Sequence, residues 1–534
     1  MNGSFAGPIA DALRLLPGYL GSHVLVSVTA LALGLAVSLP LAILSAHRPA
    51  LRGVLLALAS LVQTVPGLAL LALFYPLLLG VAALTARYFD VKFSALGFLP
   101  SVLALALYSM LPVLRNTVTG LIGIDPAVKR AALGVGMTPR QSLTMVELPL
   151  ALPVIMAGIR TSAVWVIGTA TLSTPIGQAS LGNYIFTGLQ TQNWVFVLFG
   201  CAAAAALALA VDQLLALMES GVRTRARTRT ALGALGLLLI IAGALAPTFA
   251  RPHASYVVGA KTFTEQYILA ALIEQRLAAA GLSATRREGL GSNVIFDALK
   301  AGDIDVYVDY SGTIWANQLH REDTRPREEV LADVKTWLAD HGGVAMLGAL
   351  GFENAYALAM TRTRAQALGV RSIADLAARA PTLTIAGDYE FFARPEWAAI
   401  RRAYGLTFAG ERQMQPEFMY PAVAAGEVDV ISAYTSDGRI AQHDLVVLVD
   451  PKHAIPPYDA ILLVAPKRAG DRALDDALTR LIGAIDVNLM REANLRATGA
   501  GASPAEVARW LWGEMEKNNP VIPGPERSEG ARKP

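Results

Sequence analysis

Long uncharged apolar runs follow one another through the first half of the chain and stop near residue 250. Beyond that point, short apolar runs alternate with charged segments of helical period. A membrane span needs roughly 20 apolar residues. Stretches of that order occupy residues 23–46, 53–86, 93–114 and 231–250. No charge falls between Arg160 and Asp212, and a Ser/Gly/Asn/Gln-rich middle at 173–193 divides that region into one span near 161–172 and beyond and another at 194–211. The pattern predicts about six spans, with 53–86 read as one span kinked by Pro66. The first run is too long for a signal-peptide core, so it reads as a retained membrane helix.

After Arg251 the period changes. Strand-like runs at 256–259, 304–308, 382–386, 428–432, 446–449 and 460–464 alternate with amphipathic helical segments such as 266–280. Alternation of this kind predicts α/β architecture. About 260 residues are enough for two lobes. The expected organisation is an all-α polytopic membrane domain at 1–250 and an α/β two-lobed domain at 251–517. In the second domain, lobe 1 takes 255–350 and 441–517, and lobe 2 takes 351–440. The tail, 518–534, is rich in Pro, Gly and charge and reads as disordered.

Composition agrees with a membrane protein: only 16% of the 534 residues are charged, and the mean hydropathy is +0.45. A net charge of +3, dispersed in short clusters, gives no nucleic-acid footprint. The single cysteine, Cys201, excludes a disulfide framework or a cysteine-based metal site. The seven histidines show no metal-ligand spacing, and no Gly-x-Ser-x-Gly turn occurs, so neither a metal cofactor nor catalysis is expected. Positive charges fix the sidedness. Arg48 and Arg52, then Arg115, Lys129, Arg130 and Arg140, then Arg223, Arg225, Arg227 and Arg229, place three loops in the cytoplasm. The N-terminus and everything after Arg251 are then expected outside.

The second of these loops carries a motif. Arg130-Ala131-Ala132 is followed by Gly136 and, after nine residues, by Val146-Glu147-Leu148-Pro149. A short helix, a glycine turn and a proline-started element make a rigid protrusion. The segment resembles the cytoplasmic coupling loop of ABC importer permeases, with Arg130 where that family carries glutamate. The resemblance implies that Arg130, Ala131, Ala132, Gly136, Leu148 and Pro149 contact an ATPase. No Gly-x4-Gly-Lys-Ser/Thr phosphate loop is present, so the ATPase is expected on another chain. A homodimer of the membrane domain is expected to form the pore.

Five segments of the second half form a further set: Lys261-Thr-Phe-Thr-Glu-Gln266, Asp309-Tyr-Ser-Gly-Thr313, Gly351-Phe-Glu-Asn-Ala-Tyr356, Ala433-Tyr-Thr-Ser-Asp437 and Pro456-Pro-Tyr458. They resemble the substrate-binding proteins for glycine betaine, choline and related quaternary-ammonium osmoprotectants, of the two-lobed periplasmic-binding type. With the coupling loop, the chain resembles a fused permease and binding-protein subunit of an osmoprotectant-type ABC importer, a layout also used for ergothioneine. A quaternary ammonium has no N–H to donate, so aromatic faces are the favourable surface for it, at roughly 0.5–2 kcal/mol per contact. The resemblance puts Tyr310, Tyr434 and Tyr458 in an aromatic cage, with Tyr356 and Tyr389 as further members. A carboxylate on the ligand needs donors, and Thr262, Gln266, Ser311, Thr313 and Arg394 are candidates. Arg394 reads equally as a salt-bridge residue, and Asp437 as a turn residue or a ligand contact. The expected function is import of a betaine-type solute across the bacterial inner membrane, with the binding domain on the outer side. The alternative from a different class is a membrane-anchored ligand sensor, which has no need of a coupling loop.

Overall fold

The computed structural model describes residues 6–89, 93–190, 193–250, 255–321, 323, 325–388, 391–499 and 502–518. They divide into two compact units, 1–254 with 287–303 and 255–286 with 304–534.

The first unit is helical: α1 (Ala6–Ala46), α2 (Pro49–Thr64), α3 (Gly67–Phe89), α4 (Phe98–Ile122), α5 (Pro126–Gly134), α6 (Pro139–Ser142), α7 (Leu148–Ala170), α8 (Gly182–Gln190), α9 (Trp194–Arg223) and α10 (Arg227–Ala250). Among the described residues six helices are long and apolar enough to cross a membrane. The α4 helix is the centre, packed against both α1 and α7, while α9 covers α7 and α10 covers α9. The apolar stretch 53–86 is broken at Val65–Pro66. Proline removes a donor and collides with the preceding turn. The Val65 carbonyl left over accepts from the Tyr108 hydroxyl in the middle of α4, so the break is satisfied inside the bundle.

One expected span boundary shifts. The run near 161–172 was delimited by Arg160, yet the helical path continues from Pro139 to Ile176 straight through that arginine. Arg160 is accommodated by α9: its Nε donates to Asp212 Oδ1 at 2.6 Å and its Nη2 to Asp212 Oδ2 at 2.8 Å. Glu219 lies 3.6 Å from its Nη1. Paired in this way, an arginine becomes tolerable at membrane depth.

At the coupling segment, Asp125 caps α5 by accepting from the Ala127 amide, and Gly136 adopts φ +85°. Thr138 and Gln141 then close a reciprocal cap on α6. A π-helical turn at Leu143–Glu147 leads into α7, with Pro149 in its first turn. Glu147 is buried and holds the segment together: it accepts from Ser142 and lies 3.1 Å from Lys129 Nζ. Arg130, Ala131, Leu133, Val135, Pro149 and Arg140 are exposed, Leu148 is half-buried, and Ala132 is buried. The protrusion therefore offers cations and apolar side chains.

The region after residue 255 contains two five-stranded mixed sheets. The first has the order β2-β1-β3-β10-β4, built from β1 (Tyr256–Lys261), β2 (Ala284–Leu290), β3 (Val306–Tyr310), β4 (Ala345–Glu353) and β10 (Asp459–Val464). The second has the order β7-β6-β8-β5-β9, built from β5 (Tyr356–Thr361), β6 (Thr384–Gly387), β7 (Gly410–Gln413), β8 (Val430–Tyr434) and β9 (Leu445–Val447). Two crossings join the lobes, at 354–355 and between 450 and 458, since Leu448 and Val449 still bond to Leu358 and Arg371 of the second lobe. The sheets therefore place them later than the expected 351 and 440, because Glu353 still pairs with Asp459 and Val447 still pairs with Ala359. Helices Val487–Gly499 and Pro504–Asn518 return to pack on helix Thr264–Ala279 of lobe 1.

Candidate functional site

Strand ends and crossings deliver the site. Tyr310 ends β3, Tyr434 ends β8, Tyr356 begins β5, and Tyr458 immediately precedes β10. Tyr356 and Tyr434 are register partners across β5 and β8, which sets their rings side by side on one face. Their centroids are 5.0 Å apart. Tyr356 also meets Phe391 at 5.4 Å and Tyr458 at 5.8 Å, the latter edge-on. From lobe 1, Phe263 stacks on Tyr434 at 6.0 Å and an interplanar angle of 5°, and it lies 6.0 Å from Tyr310. The result is one continuous aromatic wall that spans both lobes.

A cation already rests on this wall. The Arg394 guanidinium is 5.1 Å from the Tyr356 ring centroid. It pairs with Glu396 at 3.2 Å and reaches the Tyr458 hydroxyl at 3.4 Å. Burial alone would weaken its charge, but Tyr356, Tyr458 and Glu396 outweigh burial and hold the guanidinium firmly protonated. With rings 5–6 Å apart and Arg394 against them, the cage is closed on its own arginine.

Three of the tyrosine hydroxyls are anchored on carboxylates. Tyr310 donates to Glu265 Oε1 at 2.5 Å, Tyr434 donates to Asp388 Oδ2 at 2.5 Å, and Tyr458 donates to Glu396. Burial first, and the adjacent carboxylate next or close behind, push all three phenols well above their ordinary range. Glu265 is fully engaged: besides Tyr310 it accepts from Ser436 at 2.6 Å, Asn494 at 2.9 Å and Asn354 at 3.1 Å. Burial raises its carboxyl despite these donors. It thus joins lobe 1, the outward crossing and the segment after β8.

The polar candidates separate into groups. Gln266 is buried and donates to the Val308 carbonyl and the Tyr310 hydroxyl, both at 3.0 Å, so it steadies a cage ring. Ser311 binds backbone, donating to the Pro457 carbonyl at 3.0 Å and accepting from the Asp459 amide at 2.9 Å. That tie holds the loop bearing Tyr458. Thr313 is buried and Thr262 is exposed. Asp437 forms an ion pair with Arg439 at 2.6 Å. Burial would raise its carboxyl, but Arg439 keeps it below the usual range. A small cavity beside the wall is lined by Phe263, Glu265, Tyr434, Asp437 and Asn494 among others. Tyr389 lies outside the described residues. Phe263, Asp388 and Glu396 were not singled out from the sequence. Phe263 sits inside the Lys261–Gln266 motif, where an aromatic between two threonines is the available signal.

A bundle of six apolar helices carrying a rigid loop, together with a two-lobed unit holding an aromatic site at its crossings, defines a membrane permease joined to a solute-binding protein. Residues 38–224 match the family model of the binding-protein-dependent transport system inner membrane component. Residues 254–513 match that of the substrate binding domain of ABC-type glycine betaine transport systems. The chain belongs to the osmoprotectant-type ABC importer family, as a fused permease and binding-protein subunit. It is a transport protein and not an enzyme. It is 28% identical over 477 residues to the ergothioneine transport permease/ergothioneine binding protein EgtU of Helicobacter pylori (strain G27), covering 86% of this chain and 83% of that protein. Over 197 residues it is 39% identical to the choline transport system permease protein OpuBB of Bacillus subtilis (strain 168), covering 37% of this chain and 83% of that one. A solved structure described as a glycine betaine/carnitine/choline ABC transporter aligns at TM-score 0.44 and 26% identity, over 49% of this chain and 99% of that chain.

Proposed function

We propose that the chain captures a zwitterionic trimethylammonium compound between the lobes of its outer unit and passes it inward through a permease dimer driven by a separate ATPase. The observation that carries this reading is the aromatic wall with Arg394 upon it. A ligand cation takes the place of the guanidinium over Tyr356, and the displaced arginine, with its five N–H donors, meets the ligand's carboxylate. Both charges then remain compensated in a site where an uncompensated one is costly. Choline has no anionic end to offer Arg394, so betaines are the favoured class. Within that class, ergothioneine is the leading cargo, because the relative that shares the fused layout across most of both chains is named for it. The coupling protrusion, with its exposed arginines and apolar side chains, supports docking of an ATPase. Tyr310, Tyr356, Tyr434 and Tyr458 form the cage, and Arg394 reads the carboxylate.

The test is calorimetric titration of the full chain in lipid nanodiscs with ergothioneine, glycine betaine, carnitine and choline. A zwitterion is expected to bind at least about tenfold more tightly than choline, the value of one hydrogen bond to a charged group. Equal binding of choline removes the role assigned to Arg394.

A further inference from the structure

The three anchored hydroxyls share a chemistry that position alone does not require. Tyr310, Tyr434 and Tyr458 come from three different segments, and each donates to a different carboxylate. Those carboxylates are Glu265 on helix Thr264–Ala279, Asp388 just after β6, and Glu396 in the first turn of helix Pro395–Tyr404. All three are buried, at 3%, 6% and 2% exposure. A neutral acceptor, such as a backbone carbonyl, would satisfy a tyrosine hydroxyl with no burial of charge. A carboxylate does more. The charge-assisted bond is short and directional, which fixes the ring plane. It also draws the phenolic proton outward, leaving more electron density on the ring and a more negative face toward a cation.

We propose that Glu265, Asp388 and Glu396 are positioning and specificity-determining residues for the solute cation: each orients one cage tyrosine through its hydroxyl and strengthens the attraction of that ring for positive charge. The inference rests on the cage reading given above. It assigns to the carboxylates behind the rings the discrimination of a quaternary ammonium from an uncharged group of equal size. Asp388 is the first of the three to vary. Its Oδ1 accepts from the Phe391 amide at 2.7 Å while its Oδ2 accepts from the Tyr434 hydroxyl at 2.5 Å, so asparagine can keep the first bond while its Nδ2, a donor, leaves the Tyr434 hydroxyl without a carboxylate to donate to. Glu265 also links the two crossings, and Glu396 also pairs with Arg394, so their variants report more than one effect.

The experiment uses the full chain in nanodiscs and four ligands, ergothioneine, glycine betaine, carnitine and choline, each paired with the analogue in which a quaternary carbon replaces the nitrogen. The chains compared are wild type, Asp388→Asn, Tyr434→Phe, the double variant, and Glu396→Gln. The expected result is a loss of ammonium affinity of roughly fivefold in Asp388→Asn with the carbon analogue nearly unaffected. Tyr434→Phe should show a similar loss, and the double variant no more than either single one. A purely structural role lowers both members of each pair alike, and that outcome overturns the proposal, as does full additivity in the double variant. If Asp388→Asn melts early, Tyr434→Phe supplies the same ratio of ammonium to carbon analogue, and an unchanged ratio there is equally contrary. Failure of the wild type to bind any quaternary ammonium sinks the cage itself, a result distinct from wild-type binding with an unchanged ratio.

Discussion

At the scale of the residue, the site depends on close approach. Gly312 lies against the Tyr458 ring, and a Cβ built there would stand 2.5 Å from two ring carbons. The Ser-Gly-Thr turn therefore has glycine because an aromatic face occupies the space of a side chain. Gly312→Ala should push Tyr458 out of the cage, with a stability cost of about 1–3 kcal/mol. Ligand affinity should drop at least about tenfold, the scale of one lost cation–π and packing contact. Thermal melting and titration on one preparation separate the two effects. Arg394→Ala gives the complementary prediction: affinity for a betaine falls, affinity for choline rises or holds, and the preference between them narrows by an order of magnitude. The tyrosines were legible because their motifs are short and turn-like. The partners of their hydroxyls were not, since Asp388 and Glu396 look like any surface acid until the fold buries them. Ser311 shows the reverse: a hydroxyl suited to a ligand is spent on the Pro457 and Asp459 backbone.

At the scale of the element, the central strands β1, β3, β6, β8 and β10 were readable and β5 was not, while of the edge strands only β9 was, through the apolar run 446–449. The runs at 304–308, 428–432 and 460–464 are apolar because β3, β8 and β10 are buried on both faces. The strands β2 (Ala-Thr-Arg-Arg-Glu-Gly-Leu) and β7 (Gly-Glu-Arg-Gln) sit at sheet edges and carry charges there, so their sequence gives no apolar run to detect. The same logic hid the true start of α7, where Arg160 interrupts the hydropathy but finds Asp212. Asp305, just before β3, clamps the first sheet. It accepts from the Val257 amide at 2.7 Å, and Arg468 and Lys467 each lie 2.9 Å from its Oδ1. Burial would raise this carboxyl, yet Arg468, Lys467 and the Val257 amide hold it below its ordinary value. A depressed folded value contributes stability that is present above the unfolded value, near pH 4, and lost as the pH falls through the folded one. Asp305→Asn should cost about 2 kcal/mol at neutral pH. It should also flatten the loss of stability below pH 4, as followed by urea melts across pH 2.5–7.

At the scale of the whole molecule, two chemically separate units do separate work, and a variant in one should leave the other intact. Gly136, in the exposed segment between α5 and α6 proposed to dock the ATPase, has φ +85° and open space around its missing side chain. A β-branched residue there meets backbone strain only, about 1–2 kcal/mol. Gly136→Val should therefore distort the protrusion and slow uptake of labelled solute by cells expressing the importer, while solute affinity stays at the wild-type value. The membrane helices were legible from hydropathy, since hydrocarbon allows few alternatives. The lobe crossings were less so, because β4 and β5 form a nearly continuous apolar segment across 345–361, broken only around Glu353 and Asn354, so hydropathy marks no clear change of sheet.

The central proposal is that the aromatic wall is a cation site that prefers zwitterions. The direct measurement is calorimetric titration of the full-length chain in nanodiscs with ergothioneine, glycine betaine, carnitine and choline, for wild type and Tyr356→Ala. Tyr356 is the ring that touches Tyr434, Tyr458, Phe391 and Arg394 at once. Saturable one-to-one binding of a zwitterionic trimethylammonium compound, weaker binding of choline, and loss of both in Tyr356→Ala are expected. Binding that survives the loss of Tyr356, or no binding of any of the four, contradicts the proposal.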